Sequence, residues 1–255
     1  MAELSSREAH QIARRLYLIQ VLLNYRTMQG GGNLFALWPW LRHSARRAEQ
    51  TRVASGYINS HPVFAALAVG AMRRRLEAPP PLSPPRERGG DENEQEIEQW
   101  RESLAGPLGV IGDALIWDRW KPLVFAAGAW ILLLIPYTSA WAIVASAALL
   151  IYNVPLYALR AWGVKKGYEL GKNVLEALHD ERFGRWRRRL TVAGVVLAGA
   201  LFSTGLWSAS QGSALRSAQY VIAFGVMLLG LRLRLSASTA VLFAALVALL
   251  IPQVL

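Results

Sequence analysis

The stretch PLVFAAGAWILLLIPYTSAWAIVASAALLIYNVPLYAL, Pro122–Leu159, runs for 38 residues without a charged side chain. At about 1.5 Å of rise per residue, a helix of that length would cross a ~30 Å hydrocarbon layer nearly twice. Pro136-Tyr137-Thr138-Ser139 is its natural turn. The stretch therefore reads as a hairpin of two helices, the first short.

The rest of the chain has to be consistent with that hairpin. Its 255 residues include 28 Lys and Arg against 17 Asp and Glu, a formal charge of +11, with 53% hydrophobic residues and 18% charged. Soluble domains carry about a quarter charged residues, so a chain both more apolar and strongly basic is not an ordinary cytosolic enzyme. A charge of this size suits nucleic acid or a membrane protein with basic cytoplasmic segments, and the location of the charges decides. Sixteen of the basic residues lie in 1–121, nine in 160–189 and three elsewhere. No acid follows Glu181, and none lies between Asp118 and Glu169. An uncharged span of 38 residues argues against nucleic acid and for a lipid bilayer. The absence of cysteine excludes disulfides, thiolate metal sites and thiol nucleophiles.

Three further apolar stretches follow, Leu190–Ala209, Ala218–Leu231 and Ser236–Leu255. The first and last have the roughly 20 residues a spanning helix needs, whereas Ala218–Leu231 is short enough to be tilted, re-entrant or buried among other helices. The basic cluster at 160–189 and the pair Arg232/Arg234 place both ends of the hairpin on the cytoplasmic side and the C-terminus outside. The expected fold is all-α: a polytopic integral membrane protein with an N-terminal amphipathic helix and broken or re-entrant helices. We read one membrane domain over 1–255, made of N-terminal helices (1–77), a Pro-rich and acidic linker (78–95), a Gly-rich segment (96–121) and membrane-spanning helices (122–255).

At the N-terminus Ser5-Ser6-Arg7-Glu8 has the form of a capping box, followed by Ile12, Leu16, Ile19 and Leu23 at helical spacing beside Arg14 and Arg15. This helix is too polar to span. It suits the membrane interface or a partner helix, with a solvated helix packed on its own chain as the alternative.

Three polar islands are candidates for chemistry. Asn24–Asn33 (NYRTMQGGGN) ends in three glycines, which read first as a flexible helix end and second as a binding loop. Tyr57–Pro62 (YINSHP) reads as a capped helix entry whose Asn59 and His61 could also bond hydroxyls. Gly106–Trp117 (GPLGVIGDALIW) places Asp113 in an apolar, glycine-interrupted segment, either as a helix cap or as a functional carboxylate at a broken helix. The segment lacks the Gly-Lys-Ser/Thr ending of a phosphate loop, and the histidines at 10, 43, 61 and 179 lack metal-ligand spacing. Asp113 has only Asp118 nearby, beside Arg119, which does not make an aspartyl-protease pair from separate helices. Nothing calls for a metal, a cofactor or a catalytic triad.

In this order the islands resemble the motifs of the enzyme IID component of the mannose/fructose/sorbose class of bacterial phosphotransferase systems. NYRTMQGGGNLFALWPWLR is similar to the family's N-[FY]-E-R-M-Q-x-x-G-F element, and YINSHPVFAALAVGAM to F-F-N-T-H/Q-P-x-x-A-x-x-x-G. LAGPLGVIGDALIWDRWKP resembles L-M-G-P-L-A-G-I-G-D-x-x-F-W-G-T-x-R-P, and YNVPLYALRAWGVKKGYELG resembles Y-N-x-x-x-x-x-x-R-x-x-G-x-x-x-G-Y-x-x-G. The likeness extends over residues 15 to 205 or so.

The resemblance implies a multi-pass subunit of the bacterial cytoplasmic (inner) membrane that does no covalent chemistry of its own. With an enzyme IIC partner it would bind and translocate a hexose, in an oligomer of such pairs, while soluble IIA and IIB proteins deliver the phosphoryl group. By motif, Asn59, His61, Asp113 and Trp117 would line the sugar path, with Gln29 beside them. The chain departs from the family where Arg26-Thr27 replaces Glu-Arg and where Ile116–Pro122 reads IWDRWKP, and the I-M-P-G-L-L-P-L element is not recognisable beyond residue 205. A degenerate subunit with a structural or regulatory role is the alternative.

Overall fold

The computed structural model describes residues 4–77, 92–135, 138–179 and 181–210, with helical pieces at 218, 221–226 and 229. Most of the proline-rich linker, Pro136 and Tyr137 of the expected turn, most of Ala218–Leu231 and all of Ser236–Leu255 lie outside these residues. Among them the chain is helical: α1 (Ser6–Arg15), α2 (Gly30–Leu41), α3 (Arg47–Ala54), α4 (Ala65–Glu77), α5 (Glu92–Gly112), α6 (Lys121–Leu134), α7 (Thr138–Leu170) and α8 (Glu181–Ser210). Contacts divide it into Met1–Thr191 and Val192–Leu255. In the second unit Phe202 stacks on Phe224 with ring centroids 4.1 Å apart.

The α1 helix begins where the capping box places it, the Ser5 hydroxyl accepting the Glu8 N–H at 3.2 Å. Glu8 does not complete the box; its carboxylate takes the Arg73 guanidinium at 2.7 Å instead. Ile12, Leu16 and Ile19 are buried in the protein's own core with Leu37, Val69 and Val164, and Leu23 is exposed. The apolar stripe is thus covered by the chain itself, which corrects the expected placement on a membrane surface or partner helix. His10 and Ser6 tie α1 to α7 through the Tyr157 hydroxyl (2.8 Å) and the Lys165 ammonium (2.8 Å).

Gly30, Gly31 and Gly32 neither end a helix nor form an open loop; they are the first turn of α2. A Cβ on Gly30 would stand 2.2 Å from the Ser55 carbonyl oxygen, and one on Gly32 2.1 Å from that of Ile19. The glycines are there because two backbones cross this turn in contact with it.

The α4 helix is buried along nearly its whole length, Ala65–Arg73, and its main support is α7. There Gly163-x-x-x-Gly167 of α7 meets Gly70 and Ala66 of α4 with main chain against main chain. Glycines at this spacing let the two backbones come into contact, which a Cβ at these positions would prevent. α7 ends at Leu170 because Gly171 adopts φ +55°, the left-handed terminator, and a 3₁₀ turn continues to His179.

The hairpin is present with its short first arm: α6 has 14 residues and α7 has 33. The break is tighter than expected, since Thr138 and Ser139 already belong to α7. Ala140–His179 and Glu181–Ser208 are long and apolar enough to cross a membrane, and only 6% of the apolar window of each is buried. A soluble core helix would bury such a window; here Ile143, Leu149, Ile151 and Val154 are exposed on α7. The Gly-rich segment is not interrupted. α5 continues past Pro107, and the irregularity comes later as a π-helix over Asp113–Trp120 that leads directly into α6.

Candidate functional site

Two chain segments build the site, the YINSHP entry to α4 and the π-helix after α5. The first is fixed by the loop before α2. Asn24 closes that loop by accepting the Arg26 and Thr27 N–H groups on Oδ1, at 3.0 and 2.9 Å. Met28, held at φ 49°, bridges both Asn24 and Ile58. Gln29 donates its N–H to the Ile58 carbonyl at 2.9 Å. Its side-chain amide then grips the next residue but one, Nε2 donating to the Ser60 carbonyl at 2.6 Å and Oε1 accepting the Ser60 N–H at 3.2 Å. Gln29 is buried and fully engaged, so it positions Asn59-Ser60-His61 from behind.

His61 is the centre of the site. Its carbonyl accepts the Ala65 N–H at 2.9 Å and its ring Nδ1 accepts the Val63 N–H at 3.2 Å, so it caps α4 as well. An Nδ1 that accepts a backbone N–H carries no proton, which puts the ring proton on Nε2. Burial, aided by the positive charge of Arg160, holds the imidazole neutral down to about pH 4. The Nε2 atom is buried and has no hydrogen-bond partner. Such a donor is costly to leave unmade and marks a place where an acceptor belongs.

The π-helix is pressed against this ring. A Cβ on Gly112 would stand 2.2 Å from His61 Cβ, so glycine alone permits the approach. Trp117 meets the imidazole edge to face with centroids 5.5 Å apart, and Phe64 closes another side at 6.1 Å. The segment has the wider π winding, with the Lys121 N–H bonded to the Ile116 carbonyl, and such segments are frequent at functional sites. Asp113, next to Gly112, is exposed, as are Asn59 and about half of Trp117. The structure thus joins His61 to Trp117, with Asp113 and Asn59 one and two residues from their contact points. Gln29 stands behind them on the backbone of Ser60.

Arg160, in the YNVPLYALR string, is a further residue of this region that the three polar islands do not include. It is buried on α7 with its guanidinium 4.1 Å from the Tyr17 ring, and its Nε and Nη1 atoms have no hydrogen-bond partner. The signal for it was available: it is the first charge after the 38-residue uncharged stretch, and a cation set in an apolar helix marks function by default. A donor at Nε2, an indole face, an amide and a carboxylate suit a ligand rich in hydroxyls. Among the described residues no three His, Cys, Asp or Glu side chains gather as a metal ion would require.

Comparisons with known proteins agree with this architecture. The chain is 23% identical to the mannose-specific EIID component of the phosphotransferase system of Escherichia coli strain K12, over 78% of this chain and 68% of that protein. Its fold is similar to that in the cryoEM structure of the mannose transporter ManYZ with microcin E492, at a TM-score of 0.53 and 21% identity, over 79% of this chain and 71% of that one. A second solved structure, described as a membrane protein, matches at a TM-score of 0.59 and 20% identity over the same shares. Residues 3–213 match the sequence pattern of the mannose/fructose/sorbose family IID component, and the chain belongs to that family of phosphotransferase membrane subunits.

Proposed function

We propose that this subunit, paired with a IIC membrane protein, forms the sugar-binding and translocating unit of a permease whose soluble IIA and IIB proteins phosphorylate the hexose. The observation that carries the reading is the buried Nε2–H of His61, without an acceptor and edge-on to Trp117. A sugar hydroxyl is the acceptor that fits it, and the Trp117 face suits the C–H side of a pyranose. Asn59 and Asp113 supply the remaining hydrogen bonds from exposed positions, Gln29 holds the Asn59–His61 backbone, and burial, with the charge of Arg160 second to it, keeps His61 neutral. The chain contributes no covalent step: a histidine that protonates only near pH 4 is a poor general base at neutral pH.

The test is coexpression with the IIC protein encoded beside it. Copurification and hexose binding, with binding and uptake lost in Asp113→Asn and His61→Ala at normal expression, are the expected results; neither copurification nor binding of any hexose would sink the proposal. One observation favours the second reading, a structural or regulatory subunit. Arg119, where the family pattern has Thr, bonds the Ala114 carbonyl and the Thr191 hydroxyl and so pins the π-helix to the start of the second spanning helix. On that reading Asp113→Asn leaves uptake by the complex unchanged.

A further inference from the structure

Away from the His61 site, a cavity of about 290 Å³ lies between the π-helix, α7 and α8. Leu115, Ile116 and Leu156 form its buried walls, while Trp186 and Arg189 line it from exposed positions. The volume is some twenty times what one water needs, and the walls are almost wholly apolar. Trp120 also lines it, with its N–H already spent on the Tyr152 carbonyl at 3.3 Å. Apart from Arg189 and the Trp186 indole the walls hold no polar group free to bond a ligand.

The charges around Arg189 identify the occupant. Arg182, Arg185, Arg187, Arg188 and Arg189 fall within two turns of α8, and the acid at the helix start, Glu181, is used by Arg185 at 3.0 Å. Arg187, Arg188 and Arg189 have no carboxylate partner among the described residues. From Leu190 onward the helix is free of charge to its end. The cavity therefore sits where a basic turn becomes an apolar span, lined by two tryptophans of the kind that gather at the headgroup level. An amphiphile with a negative head and an acyl chain matches both halves, and basic pockets between spanning helices bind anionic headgroups.

We propose that this cavity is a specific site for an anionic phospholipid, with an acyl chain between Leu115, Ile116 and Leu156 and the phosphate on Arg189 and its arginine neighbours. The inference needs the membrane placement but not the sugar chemistry.

The test reconstitutes the full chain in phosphatidylcholine nanodiscs containing a few mole per cent of brominated phosphatidylglycerol or brominated phosphatidylcholine, and reads quenching of tryptophan fluorescence. Preferential quenching by the anionic lipid is expected, reduced in Trp186→Phe and lost when Trp120→Phe is added, weakened roughly fivefold per arginine in Arg189→Gln and Arg188→Gln, and restored in Arg189→Lys. Equal quenching by the two lipids in the unaltered chain overturns the proposal without any variant. Abolition of the preference by inorganic phosphate also overturns it, because the patch would then be an anion site in which the acyl chain has no part. Survival of the full preference in the Trp120→Phe/Trp186→Phe double variant places the lipid elsewhere and overturns it as well.

Discussion

Replacing Gly167 with alanine tests whether α4 and α7 are held by contact of their main chains. An added Cβ would lie 2.0 Å from the Leu67 carbonyl oxygen and 3.0 Å from the Ala71 nitrogen. A carbon–oxygen contact normally needs about 3.3 Å, so the helices must part by more than an ångström. The obstacle is backbone and cannot rotate aside. Overpacking of a tight core costs about 1–3 kcal/mol, and this site belongs at the top of that range. Alanine returns about 1 kcal/mol of helix propensity, leaving a net loss of about 2 kcal/mol. For a chain of this size that lowers the melting temperature by roughly 4–8 °C. The control lies in α5, where a Cβ on Gly109 meets nothing within 4 Å. There the same substitution gains propensity unopposed and raises the melting temperature by about 2 °C. The assay is thermal denaturation of the detergent-purified chain followed by circular dichroism. If Gly167→Ala melts with the unaltered protein, or Gly109→Ala falls as far as Gly167→Ala, the close-contact argument fails.

His61 makes stability depend on pH. Its folded pKa of about 4 lies below the unfolded value of 6.5, so between those values the unfolded chain binds a proton that the folded chain refuses. Stability is then full above pH 6.5 and falls by about 3 kcal/mol as pH drops to 4; urea midpoints across this range should show the slope, and His61→Gln should flatten it. Arg73, with side-chain exposure of 5%, pairs with Glu8 at 2.7 Å and Glu77 at 2.5 Å and lies 3.8 Å from the Trp40 ring. Arg73→Met leaves two partly exposed carboxylates facing an apolar side chain, a loss of about 2 kcal/mol after solvent screening; Arg73→Lys should recover only part of it, because the flat stack on Trp40 is not restored. Gln29→Ala frees the Ser60 carbonyl and N–H in a buried place, which costs about 1–3 kcal/mol. It should also weaken hexose binding by the assembled permease more than its loss of melting temperature explains, whereas a purely structural Gln29 would move only the melting temperature.

The hairpin was legible because charge and hydropathy act one residue at a time: an arginine or its absence has the same meaning wherever the chain goes. Ser5, Ile12, Leu16 and Ile19 were legible for the same reason, since capping and helical spacing are local. What covers the stripe was not, because α1 buries it against α7, more than a hundred residues away, and no local pattern names that partner. The glycines were misread for a related reason. Gly30, Gly31 and Gly32 looked like a helix end, yet the need for glycine comes from the Ser55 and Ile19 carbonyls that cross them. Gly106 and Gly109 looked like breaks in a helix that in fact continues past them.

The same distinction separates the parts of the site. Asn59, His61, Asp113 and Trp117 can be picked out by residue type and motif, but the property that makes His61 useful cannot. Its Nδ1 is spent on the N–H of Val63, two residues on, and its Nε2 is left buried without an acceptor where Gly112 lets the π-helix close over the ring. Arg160 is the converse case. One positive charge in an apolar helix was visible in the sequence, but its effect on an imidazole 99 positions earlier exists only once α4 and α7 are packed through Gly70 and Gly167. A substitution at either glycine therefore reaches the site without touching any residue that would face a ligand: it moves Arg160 from His61, and the histidine regains a higher pKa as the packing loosens.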